Sequence, residues 1–458
     1  MGSRSIESAY SHLPLVLQDV AVSIQGARVL HRRHGRRFEA SSRGYFERDS
    51  WSEDRILEFR DARRALALEQ ASRTPYYREL FESMGARWQD FVDEDAWSRL
   101  PILTKENLAQ GIDRFRPRLA RRDDTEVRTS GTTGVSLSMP KSANVDAEQW
   151  AVWWRYWGWH GIQRGDWCGL FSSTPVVLDD KGASRPWRLN LAGREIRFSI
   201  FHICEATVPV FLDALERFKP EWIHGNPSAV ALFATLASQA DASLSYQVKH
   251  VTVGSENLQG WQKDCIARFF GVEPRQHYGL TEAVANLSEC EQGNLHVDED
   301  FAYVEFVSDD VAAPSQIVGT SFCNSAVSLL RYATGDLAWP ATDRCSCGRA
   351  GRVAESLDGR MTDYIVLPDG RRIASLAAPF HATEGLGGAQ IRQSPDGSLT
   401  VLYVPTERWR PDSLASLESG LRLRIGEDVV VRFLQVSEIP RTLGGKTPLV
   451  VSEYVEGH

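Results

Sequence analysis

Cysteine is scarce, with 7 in 458 residues, which excludes a small disulfide-built scaffold. No excess of positive charge is present either: Lys and Arg number 52 against 60 Asp and Glu, a formal charge of -8. A mildly acidic chain has no bulk attraction to nucleic acid or anionic lipid. No apolar run reaches the length of a membrane span. The first residues lack the basic region and apolar core of a signal peptide, and Ile6 stands where a myristoylation motif needs Ser or Thr. Internal repeats and low-complexity tracts are also missing. These absences lead to the expectation of a cytoplasmic protein with no nucleic acid and no membrane span among its partners. What remains is ordinary for a folded chain, 42% hydrophobic and 24% charged, and long enough for two or three domains around a large core.

The most informative stretch runs from Glu126 to Met139. Glu126, Val127 and Arg128 read as the end of a strand. Thr129, Ser130, Gly131, Thr132, Thr133 and Gly134 then place four hydroxyls and two glycines in six residues. Val135, Leu137 and Met139 alternate with serines, the period of a second strand. A P-loop would open a helix and close on Gly-Lys-Ser/Thr, and no lysine follows here. The composition still suits phosphate oxygens, because glycines let N–H groups approach an anion and hydroxyls add donors. A surface hairpin with a polar turn fits the same loop.

Residues 1–50 are mixed, Arg-rich around His31 to Arg37, and carry no motif. Ser52 before Glu53 and Asp54 predicts a helix start, with Ile56, Phe59, Leu66 and Leu68 facing the body of the protein. Trp150, Trp153, Trp154 and Trp157 share one helix face, as core packing or as a ligand wall. Strand and helix then take turns. A helix over Val208–Phe218 precedes a strand at Trp222–His224, and Ser228 is expected to cap the next helix. The strand Val248–Val253 leads to a helix stopped by Gly271, and a brief strand ends at His277, Tyr278 and Gly279. Such alternation implies a parallel sheet with ligands bound beyond its carboxyl ends, where His224–Ser228, Ser255–Asn257 and His277–Glu282 fall. Residues 298–340 read as β-rich. Beyond about 360, Asp369-Gly370 and Asp396-Gly397 mark hairpins, followed by a helix with Leu414, Leu417 and Leu421 and a strand Val429–Val436.

Five of these segments, in order, resemble the adenylate-forming enzymes: acyl-CoA synthetases, luciferases and peptide-synthetase adenylation domains. They are Thr129–Gly134, His277-Tyr278-Gly279-Leu280-Thr281-Glu282, Arg331–Asp336, Gly359-Arg360 and Pro440–Lys446. The segment Thr74–Leu108 and Cys345-Ser346-Cys347-Gly348-Arg349 look like the phenylacetate–CoA ligase branch, and within it the chain is similar to the CapK-like proteins. The resemblance implies an α/β fold: a large N-terminal domain, 1–359, with mixed and parallel sheets and flanking helices, and a small mobile α+β domain, 360–458. It implies that a carboxylic acid attacks the α-phosphate of ATP, and that the acyl adenylate then passes to a thiol, CoA first, or to an amine or a carrier-protein thiol. A non-catalytic nucleotide-binding scaffold is the other class kept open.

Carried over residue by residue, the 129–134 loop holds the β- and γ-phosphates, and Glu282 binds Mg²⁺, a hard cation suited to carboxylate oxygen. Tyr278 packs on adenine and Thr281 sits at the α-phosphate. Asp336 accepts the ribose hydroxyls, with Arg360 nearby. Glu256, His277 and Gly279 belong to the same nucleotide site. Lys446 bridges the carboxylate and the α-phosphate, where charge concentrates. Trp154, His224, Gly225, Ser228, Ser255 and Tyr278 line the acid pocket. Departures are Val135 after the loop, Ala333 before Thr-Gly-Asp and Thr362 at the hinge.

Cys290 and His296, with five residues between them, and Cys345 and Cys347, with one, make a normal tetrahedral zinc set. No ligand position is left open, so such a zinc is structural. Three buried free thiols and a surface histidine are the alternative, and similar spacing in the phenylacetate–CoA ligase branch favours the metal. Cys168, Cys204, Cys265 and Cys323 read as core thiols.

Overall fold

The structure is a computed structural model that describes residues 10–128, 138–172, 174–177, 184–310, 313–360, 365–367, 372–373, 376, 379–380, 383–426, 429–441 and 447–454. The chain folds as two compact units. One comprises Met1–His31, Ile162–Gln276 and Asp363–His458, and the other Arg32–Gly161 and His277–Thr362.

The first unit contains the parallel sheet implied by the strand–helix alternation. From Arg275–Gly279 the order runs His250–Val253, Trp222–Gly225, Cys168–Ser172, Glu195–Ser199 and Trp187–Asn190. Every neighbouring pair is parallel except the last, which is antiparallel. The helices Val208–Phe218, Pro227–Gln239 and Gly260–Phe270 connect these strands, and Gly271 ends the last at φ 73°. Their apolar sides meet in an aromatic stack. Phe171 lies 4.6 Å from Phe198, and Phe198 lies 5.1 Å from Phe211, centroid to centroid. Each buried ring contributes about 2–3 kcal/mol. Two expectations shift: the strand begins at His250 rather than Val248, and Asn226, not Ser228, is the N-cap. Pro227 explains the second, since proline favours the first helical position and pushes the cap one residue back.

The same unit holds a four-stranded sheet ordered Val431–Gln435, Leu399–Pro405, Leu386–Gln393 and Val450–Ser452, with the helix Ser413–Ile425. Asp396-Gly397 turns between the antiparallel pair Leu386–Gln393 and Leu399–Pro405, as its sequence requires, with Gly397 at φ 82°. Asp369-Gly370 lies outside the described residues, between the antiparallel strands Ile365–Val366 and Arg372–Ile373.

The second unit is built on antiparallel strands in the order Ala302–Val307, Ser315–Ser321, Tyr332–Pro340, Val353–Arg360, Leu295–Val297, Asn286–Glu289 and the end of Arg275–Gly279. The helices Arg36–Arg48, Glu53–Ala71 and Ala143–Trp159 belong to it. Ser52 caps the second of these, its Oγ accepting from Arg55 N at 3.4 Å. Leu66, expected inside, is exposed, whereas Arg60 and Arg64 on the same helix are buried beside Tyr303. Cation–π contact lets guanidinium occupy positions that hydropathy assigns to leucine. Cys204 is likewise exposed, while Cys168, Cys265 and Cys323 are buried. The strands Thr125–Arg128 and Ser138–Lys141 pair antiparallel with Arg128 opposite Ser138.

Candidate functional site

In the first unit two parallel strands end side by side, Gly225 opposite Val253. On its other side a Cβ on Gly225 would collide with the Phe171 carbonyl of the strand Cys168–Ser172, so only glycine lets those two strands approach there. His224 Nδ1 stands 2.8 Å from Thr252 Oγ1. Burial pushes its pKa down to about 4, against the opposing pull of the Thr252 carbonyl, so the ring is neutral at pH 7. Glu256 accepts from Asn226 Nδ2 at 3.3 Å and from Ser228 N at 3.2 Å. Its carboxylate thus sits at the positive end of the Pro227–Gln239 helix. Ser255, just before it, is left-handed at φ 71°. Arg441 donates to the Ile200 carbonyl. Burial lowers its pKa while Glu438 and Glu256 raise it. Arg441 thus lies where Glu256 acts on its charge, a placement no motif reading assigned to it.

In the second unit the strand ending at Gly279 carries the other half of the predicted set. Tyr278 Oη donates to Asp336 Oδ2 at 2.7 Å. Thr334 Oγ1 accepts the Asp336 N–H at 3.0 Å and donates to the Ile317 carbonyl, which fixes the turn before the carboxylate. Asp336 is the cross-strand partner of Arg360. His277 is buried against Trp153 and Tyr156, with ring centroids 5.1 and 5.4 Å away. Past Gly279 the chain reverses, Ala283 N bonding to the Leu280 carbonyl with Ala283 at φ 54°. Thr281 is exposed and Glu282 half-buried in that turn. Left-handed backbone at a residue with a Cβ costs of order 1–3 kcal/mol and persists where surroundings enforce it.

The enforcing contacts were not foreseen. Trp153 Nε1 donates to Asn286 Oδ1 at 3.0 Å. Asn286 Nδ2 donates to Asp298 Oδ2 at 2.6 Å, and Arg155 Nη2 to Asp298 Oδ1 at 2.6 Å. A Cβ on Gly279 would stand 2.9 Å from Asn286 Oδ1 and 3.5 Å from Trp153. Burial pushes Asp298 up to about 6, against the attraction of Arg155, whereas Arg155 and Arg48 hold Asp300 below the usual carboxylate range despite its burial. The acid run Asp298-Glu299-Asp300 was the readable hint. Trp154 sits elsewhere on the helix surface, edge-on to Trp157 at 4.8 Å and near His34 at 6.3 Å. The tryptophan face thus packs on the core, with Trp153 also turned to hydrogen bonding.

Cys290, His296, Cys345 and Cys347 converge, their ligand atoms all within 4.8 Å of one another. Tetrahedral zinc at about 2.3 Å from sulfur sets thiolates about 3.8 Å apart. The Cys290 and Cys345 sulfurs are 3.7 Å apart, and Cys347 Sγ is 3.2 Å from His296 Nε2. His296 is buried, and burial together with Arg349 pushes its pKa down to about 4, leaving the neutral imidazole a metal requires. Burial raises Cys290 to about 12. Although burial opposes it, the Cys347 N–H and Asn294 amide hold Cys345 below the usual thiol range. The donor set and spacing fit a closed, structural site.

Thr129, Ser130, Gly131, Thr132, Thr133, Gly134, Val135, Thr362 and Lys446 lie outside the described residues, as does the Arg360 side chain.

No family model matches the chain. Protein CapK of Staphylococcus aureus is 19% identical over 457 residues, covering 97% of this chain and 98% of CapK. A phenylacetate-coenzyme A ligase of Thermus thermophilus is 27% identical over 164 residues, 33% of this chain and 37% of that protein. The solved structure of 2-hydroxyisobutyryl-CoA ligase in the postadenylation state superposes with a TM-score of 0.66 at 17% identity, covering 89% of this chain and 91% of that one. The fold is that of the adenylate-forming enzymes. The chain is CapK-like, similar to CapK over nearly its whole length.

Proposed function

We propose that this chain is an AMP-forming ligase: it joins a carboxylic acid to ATP as an acyl adenylate, releases pyrophosphate, and transfers the acyl group to a thiol, CoA first among them. The observation that carries this reading is the Tyr278–Asp336 pair, 2.7 Å apart, with Asp336 opposite Arg360. An aromatic ring beside a carboxylate matches what an adenosine needs: a flat apolar surface for the base and an acceptor for ribose hydroxyls. Glu282 would hold Mg²⁺, which neutralises phosphate charge when bound. Lys446 would approach the α-phosphate as the acid's oxygen attacks it and pyrophosphate leaves. His224, neutral and anchored by Thr252, would line the acid pocket with Gly225, Ser228 and Ser255. The cysteine–histidine cluster would bind one structural Zn²⁺. A large domain to residue 359, a small one from 360 bearing Lys446, and a cytoplasmic location belong to the same reading.

The test is ATP–pyrophosphate exchange with Mg²⁺ across aryl, arylacetic, fatty and amino acids. One acid class should drive exchange, and Lys446→Ala should slow it by on the order of a hundredfold while ATP still binds. Folded wild-type protein that binds ATP yet exchanges with none of these acids would refute the reading.

A further inference from the structure

The helix Leu15–Arg33 is amphipathic in the inverted sense. Its buried residues are Gln18 and Gly26, and its exposed ones include Val16, Leu17, Val20 and Ile24, with Val16 at 70% and Ile24 at 50%. The inward side is occupied by hydrogen bonds to Trp187–Asn190, the edge strand of the parallel sheet. Asp19 accepts from Leu189 N at 3.0 Å and pairs with Arg185. Ser23 Oγ donates to the Leu189 carbonyl and accepts from Leu191 N at 3.0 Å. Gln18 accepts from Arg188 Nε at 2.7 Å. A Cβ on Gly26 would collide with Asn190, so the helix lies close against the strand.

This arrangement satisfies an edge that would otherwise recruit another strand. It also reverses the usual placement of a surface helix, whose apolar stripe faces the core. Positions 16, 20, 24 and 27 are Val, Val, Ile and Ala, and 17 is Leu, forming one stripe along the outer face. The face then becomes basic: Arg28, His31 and Arg32 are exposed on the last turns, and Asp19, the helix's lone acid, is already engaged by Arg185. An apolar stripe continued by cations is complementary to a surface that is oily beneath and negative on top.

We propose that the outer face of Leu15–Arg33 docks on an anionic lipid surface, with Val16, Leu17, Val20 and Ile24 at the acyl boundary and Arg28 and Arg32 at the headgroups. The net acidity of the chain does not oppose this, because screening confines attraction to charges within about 10 Å of the lipid. Hydrophobic contact by four side chains and attraction by two arginines act together, as reversible surface binding requires. This inference does not depend on the chemistry proposed above.

The experiment is flotation of the full-length protein with vesicles of phosphatidylcholine alone or with phosphatidylglycerol added. Wild type should float with the anionic vesicles, lose them as salt rises, and ignore the neutral ones. Arg28→Gln/Arg32→Gln should weaken partitioning about thirtyfold, at about a fifth of the affinity retained per arginine removed. Val16→Asp/Val20→Asp should abolish it, with unchanged circular dichroism showing the fold intact. Three results would each overturn the proposal: no flotation with anionic vesicles, equal flotation with both kinds, or a particle of two copies by light scattering that Val20→Asp splits into one. The last would assign the face to a second copy of this chain.

Discussion

Arg155→Leu probes the buried charge network beneath the Gly279 turn. The Arg155 side chain is 5% exposed and serves two buried carboxylates, Asp298 at 2.6 Å and Asp300 at 2.8 Å, with the more exposed Asp49 farther off at 3.6 Å. Removing one partner of a buried pair costs about 3–5 kcal/mol, because the charge left behind has neither water nor a counterion. Two observations put this site near the lower bound. Arg48 still holds Asp300 at 2.6 Å, and Asp298 keeps Asn286 and Ser288 as donors. A loss of about 3 kcal/mol lowers Tm by roughly 6–12 °C in a unit of this size. Urea and thermal melts followed by tryptophan fluorescence measure it, since the surrounding helix is rich in that residue. The companion Arg155→Leu/Asp298→Asn replaces the stranded carboxylate by a neutral amide of the same shape and should regain more than half of the loss. The reasoning fails if the single variant melts within about 0.5 kcal/mol of wild type, or if the companion is no more stable than the single variant.

Trp153→Phe keeps a ring beside His277 but removes the donor to Asn286. A cost of about 1–3 kcal/mol in stability is expected, together with a higher KM for ATP at nearly constant kcat in the exchange assay; a fall in kcat alone would contradict a positioning role. His224 carries a pH signature. Its folded pKa of about 4 lies below the ordinary 6.5, so between these values the unfolded chain binds the extra proton. Stability is therefore fully present above about pH 6.5 and declines as pH falls toward 4, and His224→Asn should flatten that part of the slope in melts across the window. Elemental analysis should find about one zinc per chain, lost together with stability in Cys345→Ser/Cys347→Ser. A metal-free and equally stable wild type would remove the zinc from the reading.

The strand–helix alternation of residues 208–279 was legible because each element pairs an apolar period with a punctuating residue, as Gly271 and Pro227 do. The cysteine–histidine set was legible by donor type and spacing, although only the fold brings Cys290 to Cys345. The helices Leu15–Arg33 and Arg36–Arg48 were not. In the first the apolar side faces outward, and in the second buried Ser42 interrupts the pattern between Phe38 and Tyr45. Arg155 was hidden for a related reason. An arginine within a tryptophan run reads as a solvated break, and nothing local reveals that Asp298 and Asp300 will meet it.

That meeting has a consequence for biosynthesis. Arg155 leaves the ribosome 143 residues before Asp298. At 5–20 residues per second the delay is roughly 7–30 s, long compared with helix formation. Throughout it the tryptophan-rich helix is a nascent segment whose central cation lacks its two buried carboxylates, with only Asp49 of its acidic partners already made, while the sequence of the other unit is being made. The second unit closes only when its late strands emerge, so translational pausing between residues 162 and 276 lengthens the interval in which that helix is available to chaperones or to neighbouring chains.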